Sequence, residues 1–417
     1  MRVIHTADWH LGQELRGFSR GAEQARFLDW MVVQCRSREA DALVVAGDVF
    51  DQANPAAEAL GLFFRFAERL RREAPGTTLV AVAGNHDGAT RFDALAPALR
   101  EGMRLVGAVP RDAGGRAGLL VPAGDGHVLA APYFRLADLP LGPGLDEAGA
   151  RAAALYRELW DAAPRGRGPC VLTGHLALQG GLASPESERA IFIGGEQAAS
   201  PAIFPEEASY VALGHLHRAQ AFADGRVRYS GSPLPMSAAE RDYRHRILVV
   251  DAHADGRVEV DEVRVPLPVP LLLLPEEGTL APEDAVEALR LRLAGLADAS
   301  TPRELQPMVE IRIALDRVRP AAAAQLREDI ARSGLPARVL EVVATRAGAD
   351  GDGGAVPVAN APAAARPTAT ELFRMAFREA HGTDPGAAHL AAFAEANDAL
   401  SADAAPARPG AAPGAEP

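Results

Sequence analysis

Leu43-Val44-Val45-Ala46-Gly47-Asp48-Val49-Phe50-Asp51 decides the fold. An apolar run of strand length stops at a Gly-Asp pair, and an amphipathic helical pattern follows near 56–73. The same unit lies on either side. Val3-Ile4 leads to Asp8-Trp9-His10 and a helical pattern near 22–39. Leu79-Val80-Ala81-Val82 leads to Gly84-Asn85-His86-Asp87 and a pattern near 91–100. Strand–helix alternation of this kind implies an α/β sheet. Further strands are expected at 127–131, 170–173, 210–213, 226–230 and 246–251. The last of these lack intervening helices, so a meander or second sheet should close a domain over 1–265.

The rest of the chain changes character twice. Val269–Leu274, a helical pattern at 282–297, the alternating Val309–Ile313, a helix at 320–333 and Arg338–Val343 suggest a small α+β module over 266–345. Residues 346–367 are rich in Gly, Ala and Pro and suit a flexible linker. Two short amphipathic patterns follow within 368–400, marked by Leu372, Phe373, Met375, Ala376 and Phe377, then Leu390, Phe393 and Leu400. The Ala/Pro-rich 401–417 reads as a disordered tail. A helical pair beyond a linker suits a partner-binding segment, although a hairpin packed on its own domain would show the same pattern.

Composition narrows the function. The formal net charge of −12 argues against a protein that coats nucleic acid by bulk electrostatics. A nucleic-acid enzyme is still allowed, because a metal site supplies local positive charge. Arg provides all 43 basic side chains, which removes lysine chemistry, and there is no Gly-x-x-x-x-Gly-Lys-Ser/Thr motif for ATP. Cys35 and Cys170 sit in separate apolar segments and read as buried free thiols. With no signal-peptide pattern and no apolar run of membrane length, a cytoplasmic protein is expected.

The chemistry lies at the predicted strand ends: Asp8-Trp9-His10, Gly47-Asp48, Gly84-Asn85-His86-Asp87, Gly174-His175 and Gly214-His215-Leu216-His217. Ligands of open α/β sheets bind at the carboxyl ends of strands, so these segments can converge. Asp8, His10, Asp48, Asn85, His175, His215 and His217 offer carboxylate, imidazole and amide donors, which suit manganese, iron or zinc. No Cys stands among them, against a structural zinc site. Asp8 and His10, like His215 and His217, lie two apart and face one side of an extended segment. Asp48 is a carboxylate able to bridge two cations, which together would favour in-line displacement at phosphorus. The preceding glycines permit sharp turns and close backbone approach. Single residues elsewhere have plainer readings: His5 and His127 as structural, Trp9 and Phe50 as core, Arg65–Arg72 as a solvated helix face. Arg218 is a candidate for touching phosphate.

These ordered motifs resemble the calcineurin-like metallophosphoesterases. His5–Gly12, Val45–Asp51, Ala208–Gln220 and Tyr229–Ser237 are similar, more narrowly, to the SbcD nuclease subunits of bacterial SbcC–SbcD complexes, strongly over 1–265 and weakly over 266–400. The resemblance implies a β-sandwich flanked by helices, with 266–345 as a cap. It implies two divalent ions, most naturally Mn²⁺. Asp8, His10, Asp48 and His217 would hold one, and Asp48, Asn85, His175 and His215 the other. It makes His86 the catalytic histidine and gives Asp87 the task of orienting it, although Asp87 equally suits the start of an Asp87-Gly88 turn. It further implies an ATP-regulated 3′→5′ exonuclease and single-strand or hairpin endonuclease acting on DNA in repair, recombination and replication. The partner would be a coiled-coil ATPase like SbcC, with a homodimer inside a heterotetramer. One position departs from the pattern: Asp51 stands where archaeal and eukaryotic relatives have a second functional His. Two alternatives remain. One is a phosphatase or cyclic-nucleotide phosphodiesterase with the same chemistry, against which the cap and C-terminal segment argue. The other is a scaffold with a degenerate site, against which the complete donor set argues.

Overall fold

A computed structural model of the chain describes all residues except 100, 111, 143, 146, 164–167, 185–187, 189–197, 316–319, 347–369, 371–372, 375–376, 379–380, 382 and 404–417. Its strands are β1 (Arg2–Thr6), β2 (Glu14–Leu15), β3 (Phe18–Ser19), β4 (Ala42–Ala46), β5 (Thr78–Val82), β6 (Met103–Val106), β7 (Leu120–Ala123), β8 (Gly126–Leu129), β9 (Cys170–His175), β10 (Tyr210–Gly214), β11 (Gln220–Phe222), β12 (Val227–Tyr229), β13 (Arg246–Ala252), β14 (Val258–Arg264), β15 (Leu271–Leu274), β16 (Met308–Leu315) and β17 (Arg338–Arg346). The helices that matter below are α1 (Gly21–Ser37), α2 (Ala57–Glu73), α3 (Ala89–Leu95), α4 (Ala113–Ala117), α5 (Ala148–Ala162), α6 (Ala285–Leu293) and α7 (Pro320–Ser333).

Two six-stranded sheets are present, ordered β14-β13-β1-β4-β5-β6 and β11-β12-β10-β9-β8-β7. In the first, β1, β4, β5 and β6 run parallel, and β13 and β14 add an antiparallel edge. In the second, β12, β10, β9 and β8 run parallel between antiparallel edges. Alternate side chains of the first sheet point to opposite faces. Val3, Val44 and Val80 join Val171, Leu172 and Leu213 of the second sheet in one core. Ile4, Leu43, Val45 and Leu79 pack instead with Phe27 and Met31 of α1 and Phe63 and Phe66 of α2. Burial on both faces is why these strands read as unbroken apolar runs.

The second sheet expected from the sequence is there, but β13 and β14 return to the first. The pattern expected over 91–100 ends sooner, at Leu95, and gives way to a 3₁₀ turn at Ala96–Ala98 that contains Pro97. Helix α5 was not among the helical patterns expected from the sequence. Trp9 and Phe50 are core, at 1% and 2% exposure. His5 is buried and bonded to Tyr210 Oη (2.9 Å) and Leu213 O (3.1 Å). Cys35 is buried and Cys170 partly covered, both as free thiols. No helix among the described residues is long and apolar enough to cross a membrane.

Beyond residue 265, β15, β16 and β17 form a parallel three-stranded sheet, with α6 and α7 as the crossover helices. Leu272, Leu289, Val309, Ile311, Leu326 and Val342 make its core. The β2–β3 hairpin reaches this sheet from the loop after His10. It turns at Arg16-Gly17, both at positive φ, as a two-residue hairpin loop requires. Leu15 packs with Val269, Met308 and Leu340, Arg16 pairs with Glu341 at 2.9 Å, and Arg338 donates to the Ser19 carbonyl. Buried Arg20 bonds Glu23, Gln13 and the Pro235 carbonyl, which fixes the base of the hairpin.

Residues 1–365 and 366–417 form separate compact units. In the second, a helix spans Ala387–Asp403, and Phe373 stacks on Phe393 at 4.3 Å. Leu372, Met375, Ala376, most of the expected linker and the expected tail from 404 onward lie outside the described residues. We expect Phe63→Ala, which empties the space beneath Phe50, to cost about 3–5 kcal/mol in a urea unfolding titration. A loss under about 1 kcal/mol would contradict this packing.

Candidate metal centre

Each polar motif begins where a parallel strand stops. Asp8 and His10 follow β1, Asp48 follows β4, and Asn85, His86 and Asp87 follow β5. His175 closes β9, and His215 and His217 follow β10. Since the motif-bearing strands are parallel within their sheets and the sheets face each other, their carboxyl ends open onto one crevice. Asp8, His10, Asp48 and His215 all have positive φ, at 55°, 45°, 48° and 101°. Such backbone is costly for residues with a Cβ and is kept only where surrounding contacts over-determine it. Here the turns are clamped: Asp8 N–H donates to Gly47 O (3.0 Å), His10 N–H to Asp48 O (3.0 Å) and His215 N–H to Asp8 Oδ1 (3.0 Å). Two glycines are needed for contact distance. A Cβ on Gly47 would lie 2.0 Å from His175 Nδ1, and one on Gly84 2.1 Å from Asp48 Oδ1.

The imidazoles share one arrangement. His175 Nδ1 bonds Ala46 O at 2.9 Å, and His217 Nδ1 bonds Glu240 Oε1 at 2.9 Å. His10 Nδ1 lies 3.3 Å from Asp51 Oδ1. Carbonyl and carboxylate oxygens only accept, so Nδ1 is the protonated nitrogen in the first two, and Nε2 is left as a donor to a cation. His175 Nε2 lies 3.4 Å from Asp48 Oδ2 and 3.0 Å from Asn85 Oδ1. His10 Nε2 lies 3.6 Å from the same Asp48 oxygen, buried and, among the described residues, without a hydrogen-bond partner. Among the described residues, three triads have ligand atoms within 4.8 Å of one another: Asp8, His10 and His217; Asp8, Asp48 and His175; and His10, Asp48 and His86. Asp48 belongs to two of them.

The electrostatics are those of a site built around positive charge. Burial pushes Asp48 up, but the His175 and His86 imidazoles outweigh it and hold the carboxylate well below its usual range. Burial pushes Asp8 up. Burial lowers His175 and His217 too, yet Asp48 for one and Glu240 for the other raise them to about 9. His215 is driven well down by burial and by His175. Carboxylates, an amide oxygen and buried imidazole nitrogens suit a divalent cation.

Sequence reading expected Asp87 to orient His86. The structure differs. The Asp87 carboxylate accepts from Gly84 N–H (2.9 Å), Val49 N–H (3.1 Å) and Phe50 N–H (2.9 Å), tying the loop after β5 to the loop after β4. Burial and then the nearby Asp48 push its carboxyl up to about 7. The His86 ring meets the Asp51 carbonyl, 2.9 Å from Nδ1, and packs edge-on against the His10 ring at 4.7 Å. Asp51, the departing position, thus touches His86 with its backbone and His10 with its side chain. Sequence reading missed Glu240, fully buried, whose other oxygen accepts from Met236 N–H at 2.7 Å, and Glu188, which accepts from His217 N–H at 2.6 Å. A ligating His commonly donates its second nitrogen to a carboxylate, but the sequence does not say which acidic residue that is.

The fold and this crevice define a metal-dependent phosphoester hydrolase. The family model described as calcineurin-like phosphoesterase matches residues 1–219. The SbcD subunit of the SbcCD nuclease from Rhodobacter capsulatus is 40% identical over 400 residues, covering 90% of this chain and 94% of that one. Its namesake from Escherichia coli K12 is 35% identical over 298 residues (67% and 72%), and that from Bacillus subtilis 36% over 297 (65% and 71%). The chain belongs to the calcineurin-like phosphoesterases and, within them, to the SbcD nuclease family.

If Glu240 fixes His217, Glu240→Gln should weaken Mn²⁺ affinity by about 10–100-fold, read by calorimetric titration. An unchanged affinity would remove Glu240 from the site's support.

Proposed function

We propose that this chain is the nuclease component of an ATP-regulated DNA-processing complex. It would act as a 3′→5′ exonuclease on duplex ends and an endonuclease on single strands and hairpins. What supports this reading most is the set of Nδ1-anchored imidazoles converging on Asp8 and Asp48 in a chain of this family. Asp8, His10, Asp48 and His217 would hold one divalent ion, and Asp48, Asn85, His175 and His215 a second, with Mn²⁺ the natural occupant. When bound, such ions activate water and neutralise charge on the phosphoryl oxygens.

The protein's own part is orientation and proton transfer. The Asp48 backbone is held in its left-handed turn, and His86 N–H donates to Asp48 Oδ1 at 2.8 Å, so the shared carboxylate and the candidate acid move as one. The Asp51 carbonyl fixes the proton on His86 Nδ1 and leaves Nε2 as the nitrogen through which it meets the scissile phosphate. In the imidazolium form that atom would protonate the leaving oxygen. Asp87 acts at one remove, by holding the two loops that present Asp48 and His86. Residues 266–345 would form a cap shaping access of DNA, and 368–400 would dock on a coiled-coil ATPase like SbcC, within a heterotetramer containing two copies of this chain.

Two measurements test this. His86→Ala should lower Mn²⁺-dependent degradation of linear DNA by about 10²–10⁴-fold while bound metal is retained; wild-type rates would sink the assignment. Deleting residues 368–417 should leave metal binding intact and end co-purification with the ATPase, and continued co-purification would refute the docking role.

A further inference from the structure

Beside His217 lies a cleft of about 290 Å³, lined by Arg218, Ser230, Ser232, Tyr243 and Arg244 as well as His217 itself. None of the candidate metal chemistry uses its other walls. Three observations give it a purpose. Arg218 and Arg244 are exposed, and among the described residues neither has an ion-pair partner, in a chain whose net charge is −12. The remaining charges of the cleft are engaged: Arg246 pairs with Glu262, and Asp242 with Arg241 at 3.1 Å. Second, Arg218 is held rather than loose. Its guanidinium lies over the Tyr243 ring, 5.7 Å from the centroid, and Tyr243 Oη meets Ser184 Oγ at 2.9 Å. Third, Ser232, which lines the cleft, is 1% exposed and its hydroxyl has no hydrogen-bond partner among the described residues. A buried hydroxyl without a partner costs free energy that a ligand oxygen would recover.

Guanidinium forks and a hydroxyl are the groups that bind phosphate oxygens. A small phosphomonoester would be fully served by the metal crevice and would leave these groups idle. A strand has a second phosphate next to the one being cut. We infer that this cleft is the subsite for the phosphodiester flanking the scissile one, held by Arg218, Arg244 and the Ser232 hydroxyl. The inference rests on the nuclease reading and specifies where the strand runs: from the metal crevice past His217 over Tyr243. It also places the grip on the strand backbone, which is the same for every base, so the subsite confers register without sequence preference.

The full-length chain is tested with a fluorescein-labelled single-stranded oligonucleotide, using Ca²⁺ in place of Mn²⁺ for binding by anisotropy. The double variant Arg218→Gln/Arg244→Gln should raise Kd about tenfold or more. It should also flatten the dependence of log Kd on log salt by about 0.7, the value for one lost single-strand phosphate contact. In Mn²⁺ its KM for the oligonucleotide should rise in step, with kcat within about threefold of wild type. Arg218→Lys/Arg244→Lys should restore most of the salt slope, because Lys also binds phosphate as a point charge. An unchanged slope in the Gln variant, a fall in kcat at constant KM, or failure of the Lys variant to recover the slope would each overturn the subsite. The nuclease reading fails separately: wild-type chain would then hydrolyse bis(p-nitrophenyl) phosphate but neither bind nor cut the oligonucleotide.

Discussion

Everything in the catalytic crevice depends on how the backbone leaves its strands. A parallel strand that simply continued would carry the next side chain along the sheet. Asp8, His10, Asp48 and His215 instead break into left-handed turns, which swing their side chains into the space between the sheets. Each such turn costs on the order of 1–3 kcal/mol for a residue with a Cβ. The cost is offset by bonds between turns: Asp8 to Gly47, His10 to Asp48, His215 to Asp8, and Asp87 to three amides of two loops. The strain and the bonds belong to one device. The bonds between turns hold the donors in place.

That device also explains which residues around it are intolerant. Gly47 and Gly84 are fixed by contact with the rings and carboxylates of other segments, with no room for a methyl group. Asp87 looks like a catalytic residue in sequence and behaves as a splint. Its three amide donors satisfy a buried carboxyl that would otherwise be expensive to keep, and they make the positions of Asp48 and His86 interdependent.

Much of this was legible in sequence because buried parallel strands announce themselves. Val3-Ile4, Leu43–Ala46 and Leu79–Val82 are apolar on both faces, and Asp8, Asp48 and Asn85 stand just beyond the carboxyl ends of their strands. What could not be read was set by tertiary approach. Glu240 is one acidic residue among 55 Asp and Glu, and only the fold brings it to His217 across the intervening strands. Asp51 acts partly through its carbonyl, which every residue possesses. The return of β13 and β14 to the first sheet was hidden too, since an edge strand such as Val258–Arg264 alternates with charge and declares no neighbour.

The donors extend from Asp8 to His217, so more than half of the polypeptide must close on itself before the last one is in place. Contacts of such sequence separation carry a loop-closure cost that grows only logarithmically, but they form late. No fragment short of the two facing sheets can present the complete set. Ions bound only by the assembled state deepen its free-energy well by RT ln(1 + [M]/Kd), about 2.7 kcal/mol per site at a hundredfold excess over Kd. Metal availability is therefore a term in the folding equilibrium of this domain as well as in its chemistry.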